Sequence, residues 1–250
     1  MSTYLTYGFV IKVRPWRERD RIYTVLTDKQ GKINLLATGS QKIVSKMAGH
    51  LWPGQKTCLM VAPGKQFDHL AGVQSDKVFL RPPYYLPNLV LVQSFLELTD
   101  VLTEPGQPDG YLLELLEKYL DLTNLLPKQI IDWRPAAKEI LAGYILRLLK
   151  HQGLAVALSH CDKCKKELFS PAVYNWNQHG FYHQTCADQS LSNVLLSPAA
   201  LKGLIGHNDL VSQDTVSVAV LPFLLNYLAG QVGREIATLK VLGNLLRYAQ

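Results

Sequence analysis

The chain has 250 residues, with 26 Lys and Arg against 20 Asp and Glu, 48% hydrophobic residues and 18% charged ones. That composition excludes disorder and collagen-like repetition, and it fits one large or two ordinary globular domains. The net charge of +6 is uneven: Met1 to Arg81 carries 13 basic against 5 acidic residues, the remainder 13 against 15. A basic front third attracts polyanions such as nucleic acid or an acidic membrane surface. The competing reading of the same charge is a solvated face kept for solubility.

Tyr4 to Val10 is too short an apolar run for a secretory signal and is followed by Lys12 and Arg14, so a soluble, cytoplasmic chain is expected. Leu5 to Val13, Arg21 to Thr27 and Lys32 to Ala37 are rich in β-branched and aromatic residues. They are separated by the turns 15–20 and 28–31, which predicts a meander. Beyond the Gly/Ser/Lys-rich stretch 39–49, strands are expected at Gln55 to Ala62 and Phe67 to Leu80, with Pro63-Gly64 turning between them. Cys58 is expected to be a core residue of a strand. Five strands in about 80 residues suit a small closed barrel of the OB type, often used on single-stranded nucleic acid.

The proline-rich segment 82–87 cannot continue a helix or a central strand, so it is the expected linker between a domain at 1–81 and a second at 88–250. After it the apolar period changes to that of helices. Leu89, Val92, Phe95, Leu96 and Thr99 share one face; Leu112, Leu115, Leu116, Tyr119 and Leu122 share another. Trp133 to Lys150 is a third helix, with Pro135 in its first turn and Gly153 past its end. Further helices are expected at Ser197 to Ile205, about Val216 to Ala229, and Arg234 to Tyr248. The uncharged run Thr215 to Gly233 contains Pro222, Asn226 and Gln231 and reads as a buried helix rather than a membrane span. The fold class is therefore α+β multi-domain, a five-stranded barrel followed by a helical domain with an irregular insert at about 158–192.

That insert holds three of the four cysteines. Cys161-Asp162-Lys163-Cys164 and His183-Gln184-Thr185-Cys186 are two knuckles of metal-ligand spacing, suited to tetrahedral Zn²⁺. His160 and His179 compete for the fourth place, and Gln189 stands where a later cysteine could have been. A closed four-ligand set makes the metal structural, without an open position for catalysis. A metal-free insert would leave the C-x-x-C pairing unexplained, and a redox C-x-x-C lacks its βαβ context.

The barrel's cations cluster. Lys12, Arg14, Arg17, Arg19 and Arg21 surround the first turn with Trp16 and Tyr23, Lys42 and Lys46 lie in the 39–49 loop, and Lys32 opens the third strand. Cations would hold phosphates while exposed rings stack on bases. Trp16 is as suited to packing on the barrel as to stacking, and Glu18 and Asp20 are local partners for the arginines. No nucleotide-binding, serine-hydrolase, zinc-protease or acidic two-metal pattern is present, so no catalytic residue is expected.

Together these features resemble the RecO family of bacterial recombination mediators. The resemblance rests on Gly8-Phe9-Val10-Ile11, Arg19-Asp20-Arg21-Ile22, Leu26-Thr27, Gly31-Lys32, and Gly39-Ser40-Gln41-Lys42-Ile43-Val44-Ser45-Lys46. Near the end it rests on Gly233-Arg234-Glu235 followed by Leu239. It implies an N-terminal OB-fold, a helical C-terminal domain and, in many members, a four-cysteine zinc site. Here His183 stands at the third cysteine, giving Cys161, Cys164, His183 and Cys186 as the ligands. It also implies binding to single- and double-stranded DNA, annealing of complementary strands, and engagement of the acidic tail of single-strand binding protein. With RecR, such proteins help load RecA; they use no nucleotide cofactor. The carried-over DNA contacts are Arg17, Arg19, Arg21, Lys42 and Lys46, beside Arg14 and Lys32 from the charge pattern. A second reading is an RNA-binding or general nucleic-acid adaptor without a recombination role. It would bind RNA tightly and fail to anneal strands coated by single-strand binding protein.

Overall fold

A computed structural model of the chain describes residues 2–42, 45–79, 86–124, 126, 133–156, 160–188, 193–201, 204, 218–233 and 236–247. Two compact units result, Met1–Ile131 with Glu235–Gln250, and Asp132–Arg234.

The first unit begins with β1 (Tyr4–Arg17), β2 (Asp20–Thr27), β3 (Gly31–Ala37), β4 (Lys56–Ala62) and β5 (Asp68–Lys77). They close in the order β1-β2-β3-β5-β4. Every pairing is antiparallel except β3 with β5, where Leu35 and Leu36 lie beside Asp68 and His69. This is the OB-fold order, and the period-two pattern fills its interior with Val10, Tyr23, Val25, Leu35, Leu59, Val61 and Leu70.

β1 is longer than the sequence suggests. Pro15, Trp16 and Arg17, expected in the turn, remain in the strand, with Pro15 opposite Arg21 and Arg17 opposite Asp20. A proline is tolerated there because β4 pairs β1 only from Tyr4 to Phe9; the far end is an edge, and the register shifts between Pro15 and Arg17. The turn shrinks to Glu18 and Arg19, which projects the arginines on a two-stranded ribbon.

Among the described residues three α-helices complete this unit: α1 (Leu86–Leu102), α2 (Gly110–Asn124) and, after the second unit has intervened, α5 (Ala237–Arg247). The sequence boundary at 82–87 falls on a segment of which 82–85 lies outside the described residues. α1 is buried well beyond the expected stripe, at Val90, Leu91, Val92, Phe95, Leu96 and Leu98. It packs on β1, α2 and α5. Gly31 has φ +66°, and a Cβ there would meet Gln107 O at 2.2 Å. The α1–α2 connection can therefore lie against β3, where Gly106 N–H donates to Lys32 O at 3.1 Å.

The closing helix α5 was expected in the C-terminal domain, but its N-terminus is tied to α1. Glu97 accepts from Ala237 N–H at 3.2 Å and from Thr238 N–H at 2.9 Å and Oγ1–H at 2.5 Å. A carboxylate satisfying unpaired N–H groups at a helix N-terminus is worth ~1–2 kcal/mol. Glu97→Ala is expected to lower the free energy of unfolding, read from denaturant melts, by that amount and to raise hydrogen exchange first in α5. Exchange unchanged in 237–247 would show that Glu97 does not hold the start of α5.

The second unit contains α3 (Arg134–His151), β6 (Ala172–Asn175), β7 (Gly180–His183), β8 (Asn193–Leu196) and α4 (Leu221–Val232). The expected stripe of α3, Ala137, Leu141, Tyr144, Ile145 and Leu148, is buried. The expected ribbon is β6 paired with β7, and β8 adds a third strand on β6 that the sequence reading lacked. A helical turn follows at 198–201, capped by Ser197 Oγ accepting from Ala200 N–H at 3.1 Å. The rest of the helix expected to Ile205 falls largely outside the described residues, as do Ile43, Val44, Gln189, Arg234 and Glu235. Among the described residues no helix is long and apolar enough to cross a membrane.

Candidate nucleic-acid interface and metal centre

Backbone turns build the metal centre. Cys161 N–H donates to Lys166 O and Lys165 N–H to Cys161 O, both at 2.8 Å. Lys165 takes a left-handed φ of 58° to close the first knuckle. The second closes by Cys186 N–H to His183 O at 2.9 Å. Asp162 joins the first knuckle to β7, its N–H donating to Phe181 O at 2.8 Å and its Oδ2 accepting from Phe181 N–H at 2.9 Å.

These turns bring the ligand atoms of Cys161, Cys164, His183 and Cys186 within 4.8 Å of one another. His183 Nδ1 lies 3.4 Å from Cys164 Sγ and 3.9 Å from Cys186 Sγ. Tetrahedral bonds of ~2.3 Å to sulfur and ~2.0–2.1 Å to nitrogen would separate those corners by roughly 3.6 Å. The donor set therefore fits a tetrahedral metal. His183 Nε2 lies 2.9 Å from Glu167 O, the outer hydrogen bond that fixes a ligating ring with Nδ1 toward the metal. Phe169 covers the imidazole, ring centroids 4.1 Å apart. The competing histidines, His160 and His179, are both exposed and outside the cluster. Burial pushes the Cys161 thiol up, but backbone N–H groups of Cys164, His183 and Lys163 and the neighbouring thiol bring it down to about 6. Burial and the neighbouring Cys164 and Cys161 sulfurs push Cys186 up. One thiolate is thus readily formed and another opposed by its neighbours, a conflict that a divalent cation resolves.

The barrel's basic residues separate into two sets. In one, helix acids take up the charge. Lys12 Nζ meets Asp100 Oδ2 at 2.7 Å; Lys56 and Lys77 meet Glu117 at 2.7 and 3.2 Å, and Lys77 also meets Asp121 at 2.7 Å. Burial pushes the Glu117 carboxyl up, and the two lysines overcome that, holding it below its ordinary value. Lys32, expected among the DNA contacts, belongs here. Its ammonium donates to Asp100 O at 2.7 Å and Thr103 O at 2.6 Å and lies 3.4 Å from Asp100 Oδ1, with 11% of its side chain exposed. It serves as the cation at the C-terminal end of α1, satisfying carbonyls the helix leaves unpaired.

The other set stays in solvent. Arg14, Arg17, Arg19, Lys42 and Lys46 are exposed, and among the described residues they pair with no carboxylate. The β1–β2 tip and the 39–42 loop are joined by three hydrogen bonds. Gly39 N–H donates to Asp20 Oδ1 at 2.7 Å, Gln41 N–H to Arg19 O at 3.1 Å, and Arg21 Nη2 to Gln41 Oε1 at 2.8 Å. The ribbon tip carrying Arg19 and Arg21 and the loop carrying Lys42 therefore adjoin, and Asp20 is occupied by backbone rather than by an arginine. Trp16 does both things expected of it, meeting Phe67 edge-on at 5.2 Å while 42% exposed. That contact brings the β4–β5 turn beside the ribbon and with it exposed Lys65, which sequence reasoning missed. Its signal was the Pro63-Gly64-Lys65 turn, since the β1–β2 and β4–β5 loops of this barrel type flank its ligand face.

Two family profiles match the chain, "Recombination protein O N terminal" over residues 1–78 and "Recombination protein O C terminal" over 86–237. Relatives are found under the name DNA repair protein RecO. That of a Synechococcus species is 28% identical over 239 residues, covering 92% of this chain and 77% of the relative. That of Syntrophus aciditrophicus is 27% identical over 261 residues, covering 98% and 97%.

Proposed function

The chain belongs to the RecO family of DNA repair proteins, and on that premise we propose that it binds single- and double-stranded DNA and anneals complementary strands. With RecR, it helps load RecA onto DNA coated by single-strand binding protein. The observation that carries this reading is the set of exposed cations, Arg14, Arg17 and Arg19 on the β1–β2 ribbon and Lys42 and Lys46 in the loop after β3, that among the described residues pair with no carboxylate, with Arg21 tied to the same loop. Lys65 extends the set, and Lys32 is not part of it. Residues 1–81 are the OB-fold nucleic-acid-binding domain and 82–87 the linker; of the helical part at 88–250, α1, α2 and α5 complete the barrel's unit and the metal-binding insert lies in the second. Each protein cation that displaces counterions from the phosphate backbone adds sequence-independent affinity. Two strands held on one basic face repel each other less and meet at higher local concentration, so pairing accelerates without bond making or a catalytic residue.

The metal is one structural Zn²⁺ per chain, held by Cys161, Cys164, His183 and Cys186. It supplies cross-linking rather than water activation, because all four positions are protein ligands. The acidic tail of single-strand binding protein engages the helical domain, and the protein works in the cytoplasm at the nucleoid.

Reversing Lys42→Glu and Lys46→Glu together is expected to weaken oligonucleotide binding at low salt. It should also reduce the slope of log affinity against log salt by about 1.4 for single strands. Unchanged affinity and slope would remove these lysines from the interface.

A further inference from the structure

The loop between β3 and β4 that carries Lys42 and Lys46 continues to a second feature. Its last turn, Trp52-Pro53-Gly54-Gln55, is pinned on every side. Gly54 N–H donates to Val10 O at 2.8 Å, Val10 N–H to Gln55 O at 3.1 Å, and Gln55 N–H to Trp52 O at 3.0 Å. The Gln55 side chain accepts from Trp52 N–H at 3.2 Å and donates to Ser75 Oγ at 2.6 Å. Gly54 has φ +85°, and a Cβ there would come within 2.9 Å of Val92, so the turn lies hard against α1. On this fixed turn Leu51 points into the core, 3% exposed, while Trp52 is 64% exposed. A tryptophan held outward on rigid backbone loses apolar burial and gains nothing in the isolated chain, but it is pre-organised for an incoming partner.

Beside it opens a cleft of about 590 Å³, within the range of small-molecule sites. Phe79, Leu89, Val78 and Pro53 supply apolar walls, and His50 and Gln93 supply polar edges. His50 Nδ1 accepts from Ser75 N–H at 3.3 Å, so in the neutral ring Nε2 carries the proton and is a donor. Among the described residues no lysine, arginine or carboxylate lines the cleft. A phosphate would be desolvated there without a counter-charge. A flat, neutral ring with hydrogen-bonding edges suits it.

We propose that this cleft receives one unstacked nucleobase of single-stranded nucleic acid, its face against Trp52, while Lys42 and Lys46 of the same loop hold the strand's phosphates. The inference rests on the nucleic-acid-binding reading and deepens it. A duplex offers no unstacked base without unpairing, so the cleft adds affinity for single strands alone, whereas the exposed cations bind both forms.

The test titrates a fluorescein-labelled oligothymidylate, and a blunt duplex of the same length, into wild-type protein, Trp52→Ala and Trp52→Phe. Loss of one base stack is expected to weaken binding of the oligothymidylate by roughly 5- to 100-fold in Trp52→Ala. Duplex affinity, melting temperature and the salt slope should stay unchanged, because no phosphate contact is lost. Trp52→Phe should recover most of the single-strand affinity. Equal losses for single strand and duplex, or no loss for either, overturn the proposal; the latter is the result for a cleft that takes an apolar peptide instead. If Trp52→Ala is silent while the Lys42→Glu/Lys46→Glu protein loses binding, only the cleft falls. If wild-type protein binds neither oligonucleotide, the nucleic-acid reading falls and the cleft with it.

Discussion

Purified protein is expected to contain one zinc per chain, and Cys161→Ser or exhaustive chelation is expected to unfold the insert at ordinary temperatures. The size of the effect follows from what the ligands otherwise cost. Cys161 is fully buried and His183 nearly so, and the sheet they anchor has three strands of four residues each. So small a sheet is marginal by itself. Structural zinc contributes ~10–16 kcal/mol at neutral pH in small zinc modules, comparable to the whole stability of many domains. Trp176 is a local reporter, 4.6 Å edge-on from Tyr174, which in turn packs on Phe181, Phe223 and Tyr227. Its emission should shift to the red on metal loss and return when zinc is restored. Well under one zinc per chain, together with an unchanged melting temperature in Cys161→Ser, would refute the site.

The second large effect is expected at Asp100. Its carboxylate is 14% exposed and accepts from Lys12 at 2.7 Å while lying 3.4 Å from Lys32. Lys12 is half exposed and solvated, but removing the carboxylate leaves the buried Lys32 ammonium without its counter-charge, so Asp100→Asn should cost about 2–3 kcal/mol. That corresponds to a fall in melting temperature of roughly 5–10 °C. Burial pushes the Asp100 carboxyl up, but the hydrogen bond and charge of Lys12, with those of Lys32, overcome it and hold the group below its ordinary value. A depressed carboxyl contributes stability that is complete above the unfolded-state value, about pH 4, and is lost as pH falls through the lower folded value. Wild type and Asp100→Asn should therefore differ most near neutral pH and converge in acid. A constant gap between their stabilities down to pH 2 would show that shape rather than charge is at work.

Lys32 also shows where sequence reasoning stops. As a cation ahead of a strand in a basic segment it was indistinguishable from Lys42. Its partners are the end of a helix far along the chain, and no local pattern announces them. Glu97 is a similar case, an ordinary charge on α1 until α5 returns to place its first N–H groups against it. By contrast, the barrel was legible because each strand repeats apolar residues at a spacing of two between Gly, Pro and Asp turns. The metal cluster was legible because each knuckle is a four-residue motif whose geometry is local. Between these extremes lies Pro15. It was read as a turn residue because proline interrupts a ladder, but it stands in β1 because that end of the strand has a free edge. Trp52 carried no signal either, since one tryptophan near a proline looks the same whether it faces core or solvent.

The net charge takes on a sharper meaning in this light. Part of the basic excess of the first 81 residues holds the barrel to its own helices through Asp100, Glu117 and Asp121. The remainder is concentrated at the β1–β2 tip and the loop bound to it. The central claim is that this remainder brings DNA strands together. Its most direct measurement is the annealing rate of complementary strands coated with single-strand binding protein, in wild-type protein and in one carrying Arg17→Glu, Arg19→Glu, Lys42→Glu and Lys46→Glu. On that reading wild type accelerates annealing and the variant, still folded and zinc-loaded, falls to the spontaneous rate. Equal acceleration by both proteins would contradict it.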